Sequence, residues 1–379
     1  MIERQLKIKP LLARKSFFLF GPRATGKSTL IRQQLADSAT VIDLLNSRFY
    51  LRLSAAPHDL EAIIRAGSGK IIVIDEIQRI PELLNEVHRL IESERVTFLL
   101  TGSSARKLRR GRANLLAGRV WQAQMFPFIY RELERFDLDR YLLHGSLPAV
   151  YLSDYPEEEL DAYVNTYLRE EIMAEGLIRR LPPFSRFLKT IALANGEILN
   201  FAKLANDAQV PPSTVSEYVS LLQDTLVGHL LPAWTESKKR KALKTAKFYF
   251  FDPGVGNTLA EIRTIERNSN LYGKNFEQFI CLELQAYLSY QRKKEQLTYW
   301  RTKNGQEVDF LLGTTTAIEV KASTRVSSRD MKGLRYLAEE HIFKNYLLVS
   351  QDPVPFQEGP VLCLHWKQFL TDLWENKFL

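Results

Sequence analysis

Residues 17–20 (FFLF) run straight into Gly21-Pro22-Arg23-Ala24-Thr25-Gly26-Lys27-Ser28, and a helical pattern follows. Glycines that bracket such a loop let backbone N–H groups face an anion without Cβ obstruction. A helix starting near Gly26 adds its positive end to the same place. The spacing G-x-x-x-x-G-K-[ST] between a strand and a helix is that of a phosphate-cradling loop. Gly21, Pro22, Arg23, Ala24, Thr25, Gly26, Lys27, Ser28 and Thr29 are therefore the expected nucleotide contacts, with Asp75 beside them. Lys27 would reach the β- and γ-phosphates, and the Ser28 hydroxyl would ligate Mg²⁺. The feature demands a strand–loop–helix unit, and so a sheet for the strand to join.

Further apolar runs supply that sheet. They stand at 41–44, 71–74, 98–100 and 120–125, between helical patterns. Continuous apolar strands separated by helices predict a parallel sheet covered on both faces, so the first part of the chain is α/β. The 71–74 run ends in Asp75-Glu76. Asp75 is placed to hold Mg²⁺, and Glu76 to orient or deprotonate an attacking water. A third run ends in Thr101-Gly102-Ser103-Ser104, where Ser103 is the candidate for contacting water or sensing the γ-phosphate. Arg106, Lys107, Arg109, Arg110 and Arg112 follow, then Arg119. An arginine can stabilise transition-state charge across a subunit boundary, and Arg119 is the first choice for that role.

From Pro127 the pattern turns helical, at 151–168, 172–180 and 184–194, punctuated by Pro156, Pro182 and Pro183. Residues 200–253 read as a helix (201–208), a tight turn and a second helix. The second starts at Ser213 or Thr214, both good N-caps, and runs to about Val227. Strand-like runs at 228–234 and 247–251 enclose Lys238-Lys239-Arg240-Lys241. That is the order of a winged helix. Ser213, Thr214, Ser216, Glu217 and Tyr218 would enter the major groove, and the four basic residues with Lys244 would contact phosphates. Glu217 would oppose phosphate, and a protein–protein connector is the other reading.

The last segment, from about Leu271, reads helix, strand, strand, helix, strand. Its strands Gln306-Glu307-Val308-Asp309-Phe310-Leu311-Leu312 and Ala317-Ile318-Glu319-Val320-Lys321 form a hairpin around 313–316. Period-2 alternation sets Glu319 and Lys321 on one face and Ile318 and Val320 on the other. If Asp309 shares the first face, two carboxylates and an ammonium converge. Asp309 and Glu319 could then hold Mg²⁺, with Glu277 as a further acid. A metal-bound water beside Lys321 could attack a phosphodiester.

Composition narrows the setting. The 379 residues are 45% hydrophobic and 25% charged, which excludes disordered and fibrous classes. The formal charge of +8 is compatible with a nucleic-acid partner. Two cysteines, Cys281 and Cys363, support neither a disulfide framework nor a zinc cluster, so a reducing, cytoplasmic setting is expected. No apolar stretch approaches the roughly 20 residues that span a bilayer. The basic, amphipathic residues 1–15 lack the apolar core of a signal peptide and predict a short helix.

Residues 21–28, Ile74-Asp75-Glu76-Ile77-Gln78, Thr101-Gly102-Ser103-Ser104 and Leu116-Ala117-Gly118-Arg119 together resemble the AAA-type ATPases. In particular they resemble a prokaryotic, archaeal-ATPase-like family that joins such an ATPase to a carboxy-terminal domain of uncertain function. Asp309, Glu319 and Lys321 resemble the motif of the restriction-endonuclease-like fold, PD-(D/E)xK, and Glu277 matches its helical acid. Val308 stands where that motif often has proline, and no downstream Gln-x-x-x-Tyr follows. The resemblance implies an AAA-type P-loop ATPase domain (1–130), a helical lid or connector (131–195), a winged helix (196–256) and a nuclease-like α/β domain (257–379). It implies ATP and Mg²⁺ as cofactors, ATP hydrolysis and self-association; the winged-helix order and its basic run make DNA the expected partner, in a form the sequence does not choose, branched DNA included. The alternative is a nucleotide-dependent switch whose nuclease-like domain is catalytically inactive. A polypeptide remodeller is a third reading, without the aromatic–hydrophobic pore loop it would need.

Overall fold

The computed structural model describes residues 2–36, 38–67, 69–94, 96–104, 116, 118–168, 181–236 and 242–379. The basic residues Arg106, Lys107, Arg109, Arg110 and Arg112, the helical pattern at 172–180, and the run at 238–241 lie outside them.

Strands β1 (Phe17–Phe20), β2 (Ala39–Asp43), β3 (Ile71–Asp75), β4 (Thr97–Gly102) and β5 (Trp121–Gln124) form one parallel sheet in the order β2-β3-β4-β1-β5. The apolar runs are continuous because each strand feeds two cores. Phe18, Phe20, Ile72, Ile74 and Leu100 pack with α3 (Ser47–Ala55), α4 (Asp59–Ala66) and α5 (Leu83–Ser93). Phe17, Leu19, Val73 and Leu99 pack with α1 (Ile8–Leu12) and α2 (Lys27–Leu35). The short helix expected near the start of the chain is α1. Pairing Phe20 with Gly102 and Ile74 with Leu100 brings the exits of β1, β3 and β4 to one edge of the sheet.

The middle of the chain is helical: α6 (Leu138–His144), α7 (Pro148–Leu152), α8 (Pro156–Ala162), a π-helical turn (Tyr163–Leu168) and α9 (Leu181–Leu193). The helical pattern over 151–168 is interrupted at Pro156, as the proline punctuation predicts: Pro156 starts α8 at its first position and disfavours helical backbone in Tyr155. Next come α10 (Phe201–Ala208) and α11 (Pro212–Asp224), then the antiparallel hairpin of β6 (Gly228–Leu231) and β7 (Lys247–Phe250). The start of α11 corrects the sequence reading. Pro211 is its N-cap and Pro212 its first residue, so neither Ser213 nor Thr214 caps it, and it ends at Asp224. Tyr218 is not a free contact surface either, since its ring packs on Phe184 and Phe187.

After α12 (Pro253–Leu259) and the long α13 (Asn270–Tyr290) comes a mixed sheet. It is built from β8 (Leu297–Arg301), β9 (Glu307–Leu312), β10 (Thr316–Lys321), β11 (Asn345–Ser350), β12 (Phe356–Glu358) and β13 (Val361–His365), in the order β12-β13-β11-β10-β9-β8. Helices α13 and α15 (Trp366–Trp374) cover Phe310, Ile318, Val320 and Leu347 on one face. Helix α14 (Lys332–Ala338) covers Val308, Ala317 and Leu348 on the other. The predicted hairpin is β9–β10; β8, the β12–β13 pair and α15 are additions. The hairpin β6–β7 and its flanks are stitched to β8, where the Trp234 N–H donates to the Tyr299 carbonyl at 2.7 Å and Leu243 to that of Arg301 at 2.8 Å. Among the described residues no helix is long and apolar enough to cross a membrane.

Glu283 of α13 ties this last unit to the chain leaving the first sheet. Its Oε1 accepts the Tyr130 N–H at 2.6 Å. Burial pushes its carboxyl up to about 8 from an ordinary 4.5. Unfolded chains lose this proton first, so unfolding releases a proton between those values, and stability falls as pH rises through that window. Glu283→Gln keeps an acceptor and cannot ionise. Its melting temperature should exceed that of wild type at pH 8.5 by more than at pH 5, with a difference on the order of 4 kcal/mol between the two pH values. Parallel pH profiles in thermal melts would remove the assignment.

Candidate active site

The loop between β1 and α2 is shaped by its glycines. Gly26 sits at φ 93°, in the left-handed region where a side chain is strained. A Cβ on Gly21 would lie 2.6 Å from the Met125 carbonyl oxygen. Lys27 is buried, and its ammonium donates to the Gly21 and Pro22 carbonyls at 2.6 and 3.0 Å. Thr25 Oγ1 donates to the Pro22 carbonyl at 2.9 Å. From below, Arg4 donates to the Thr25 carbonyl at 2.8 Å and pairs with Glu132 at 2.9 Å, both side chains buried. The same guanidinium reaches the Phe126 carbonyl at 2.7 Å. The amino-terminal segment therefore clamps the loop to the residues that follow β5.

Across the strand exits, Ser28 Oγ donates to Asp75 Oδ2 at 2.8 Å, and the Thr101 hydroxyl donates to Asp75 Oδ1. A hydroxyl beside a carboxylate at the mouth of a backbone cradle is an all-oxygen pair suited to a hard divalent cation. Ser28 and Asp75 fit Mg²⁺ and would hold it. Glu76 is in the left-handed region at φ 60°, fixed by its N–H on Thr101 Oγ1 at 3.2 Å. Such backbone costs on the order of 1–3 kcal/mol and persists only where surroundings impose it. The Gln78 amide donates both to Glu76 Oε2 and to Ser103 Oγ, the latter at 3.2 Å. The expected pair Glu76 and Ser103 are thus brought together, through a residue, Gln78, given no role in the sequence reading. Its signal was its place two residues after the acid at a strand exit.

Beside Thr29 a pocket of 350 Å³ opens, lined by Ile2, Thr29, Phe128, Pro148 and Leu152 among others. Arg119 is elsewhere. It precedes β5 at the entry edge of the sheet, opposite the loop, and pairs with Glu92 of α5 at 2.6 Å. Ser104 Oγ meets the Asp224 carbonyl, at the end of α11, at 3.4 Å.

The second expected constellation also converges. Asp309 Oδ2 accepts the Val320 N–H at 2.8 Å, and Lys321 pairs with Glu319 at 2.5 Å. The sequence reading missed Lys247 and Glu307. Lys247 of β7 is buried among the acids, 2.9 Å from Glu277, 2.7 Å from Glu307 and 3.7 Å from Asp309. Burial pulls its ammonium down, but Glu277, Asp309 and Glu307 outweigh this and raise it well above its usual value. Burial, with Glu277, pushes Asp309 up to about 6; burial, with Asp309, raises Glu319 well above the carboxylate range. Among the described residues no group of three or more His, Cys, Asp or Glu side chains is arranged to hold a metal ion. With Lys247 in place, Glu277, Asp309 and Glu319 do not fit a divalent cation.

Lys27→Ala should weaken binding of an ATP analogue by about tenfold or more in calorimetry; unchanged affinity would remove the loop assignment. Glu76→Gln should bind normally and lose turnover by a factor on the order of 10²–10⁴. Gln78→Ala should lower kcat with the analogue affinity unchanged, and a variant turning over at the wild-type rate would leave Glu76 positioned by something else.

Comparison with known proteins agrees with an AAA-type domain in the first part of the chain. Residues 13–134 match a family model described as AAA domain. Residues 135–266 and 272–366 match two models described as domains of unknown function (DUF8612 and DUF4143). An uncharacterized protein of Mycobacterium tuberculosis is 30% identical over 328 residues, covering 83% of this chain and 72% of its own. One of Haemophilus influenzae is 23% identical over 319 residues, covering 75% and 78%. Among solved structures, the replication initiator DnaA bound to AMPPCP and single-stranded DNA aligns with 57% of this chain and 86% of its own, at 10% identity and a TM-score of 0.27. By its likeness to the mycobacterial protein along most of both sequences, the chain belongs to that protein's family, with an AAA-type ATPase domain at its amino-terminal end.

Proposed function

We propose that the chain hydrolyses ATP and uses the cycle to act on DNA. The observation that carries the ATPase reading is the hydrogen-bonded line Ser28–Asp75–Thr101, with Glu76–Gln78–Ser103 beside it. The loop amides and Lys27 bind and orient the phosphates. Mg²⁺, when bound, supplies neutralising charge for the triphosphate. Glu76 accepts a proton from the attacking water, and Gln78 holds the carboxylate while Ser103 fixes Gln78. The apolar pocket by Thr29 and Phe128 takes the nucleobase, excluding water from one side of the nucleotide. Self-association into an oligomer with Arg119 acting in trans is part of the proposal, since Arg119 lies at the sheet edge opposite its own loop and so would not act in cis.

The DNA reading rests on α10–α11 and the β6–β7 hairpin as a winged helix. Ser213, Ser216 and Glu217 are exposed on α11, and Lys244 is exposed before β7. The carboxy-terminal sheet is proposed as nuclease-like in fold, with Asp309, Glu319 and Lys321 at its motif positions; cleavage there would require Lys247 to leave the acids. The cysteine usage supports a cytoplasmic setting. A second reading, the nucleotide-dependent switch with a catalytically silent carboxy-terminal domain, is favoured by Lys247 standing among the acids.

ATP turnover measured with no DNA, single strands, duplex and junctions should rise several-fold with at least one DNA form; indifference to all of them would remove DNA from the proposal. Incubating the same DNAs with Mg²⁺ or Mn²⁺ separates the two readings. Cleavage lost in Asp309→Ala supports a nuclease, and intact DNA throughout supports the switch.

A further inference from the structure

We propose that the acid cluster of the carboxy-terminal domain is a cation site whose resident cation is the chain's own Lys247, so that the β6–β7 hairpin is both latch and plug. The inference deepens the second reading above and takes from it only that these acids form one site.

The cluster gathers Glu277 of α13, Glu307 and Asp309 of β9, and Glu319 of β10. Their charge is met by Lys247 and Lys321, with Arg301 on the outer oxygen of Glu307 at 3.1 Å. The ammonium of Lys247 comes from a different structural unit, since β7 belongs to the hairpin and not to the six-stranded sheet. Its position is held by geometry around it. The Tyr299 ring lies 5.4 Å from the nitrogen, and Tyr249, two residues along β7, donates its hydroxyl to Glu277 at 2.5 Å.

Most of the oxygens a metal would need are already engaged. Glu277 Oε1 accepts from both Lys247 and Tyr249. Asp309 has Lys247 on Oδ1 and the Val320 N–H on Oδ2. Glu319 Oε1 holds Lys321, but its Oε2 is buried and, among the described residues, has no hydrogen-bond partner. Glu319 as a residue is 7% exposed. One unpaired, desolvated oxygen on an acid within electrostatic reach of Asp309 is what a cation site leaves when part of its charge is supplied by a tether. A divalent ion binds carboxylate oxygens at roughly 2.0–2.6 Å and would sit against a like-charged ammonium only a few ångströms away. Removing Lys247 leaves four carboxyl groups against only Lys321 and Arg301, and the negative charge left uncompensated would draw a divalent ion.

The hairpin and the divalent ion therefore compete for the same carboxylates. Movement of β7 away from β8 would open the site, and a closed hairpin keeps metal out.

The test is Mn²⁺ titration of the full chain by calorimetry, without nucleotide, taking only the part that Asp309→Asn abolishes. Wild type should show no Asp309-dependent binding. Lys247→Met should gain it, at least tenfold tighter than any in wild type, and lose it again when Asp309→Asn is added. Asp309-dependent Mn²⁺ binding by wild type would overturn the proposal, as would a folded Lys247→Met that gains none. Thermal melts cover a variant that fails to fold: Lys247→Met should melt below the Lys247→Met/Asp309→Asn double variant, because the double removes a stranded charge. A double variant no more stable than the single one would count against the site. Gained metal binding without DNA cleavage by any variant would retain the plug and remove the nuclease.

Discussion

Three strand exits meet at one carboxylate. Asp75 receives a hydroxyl from α2 and another from β4, and this requires β1, β4 and β3 to lie side by side in the observed register. A slip of one residue in β3 would turn Asp75 to the opposite face and send Ile74 toward the loop. The two apolar cores prevent that slip, because each strand's alternating side chains are already sorted between them. The strain at Glu76 is held by the same arrangement, since Thr101 serves both Asp75 and the Glu76 N–H. Arg4 completes the frame from outside the sheet. Its pairing with Glu132 is buried, and breaking such a pair typically costs about 3–5 kcal/mol, so the loop's position is insured by a residue far from it in sequence.

The units of the chain are packed into each other. One core joins Phe126 and Tyr141, Leu231 and Tyr249 of the hairpin, and Phe276 through Leu373 of the last unit. Ser104, next to the residue that holds Gln78, touches the last carbonyl of α11, and Leu226 just beyond packs against the core of the ATPase sheet. A displacement at the exit of β4 is thus in direct contact with the helix proposed to meet DNA. On the far side of the same unit, β7 places Lys247 in the acid cluster. The hairpin segment thus lies between the proposed nucleotide site and the acid cluster.

Legibility followed distance along the chain. The phosphate loop was readable because its residues are consecutive, and their types specify a backbone shape wherever a strand precedes and a helix follows. Asp75, Glu76 and Ser103 were readable because strand exits in a parallel sheet share an edge. Glu319 and Lys321 were readable from alternation alone. The start of α11 was misread because Ser and Thr at 213–214 carry cap chemistry, while Pro211 and Pro212 had the stronger backbone preference.

Spacing and periodicity thus determined the sheet, its loop and which side chains share a face, because those depend on local backbone geometry. Tertiary packing decided what those faces meet. Lys247 looks in sequence like any basic residue at the start of a strand. Only the docking of β7 against β8 and α13 removes it from water and sets it among acids of two other elements. Gln78 and Arg4 likewise acquire partners only when separate segments close around the loop. Electrostatic partners of that kind follow from desolvation in a particular packing, and no local pattern encodes them.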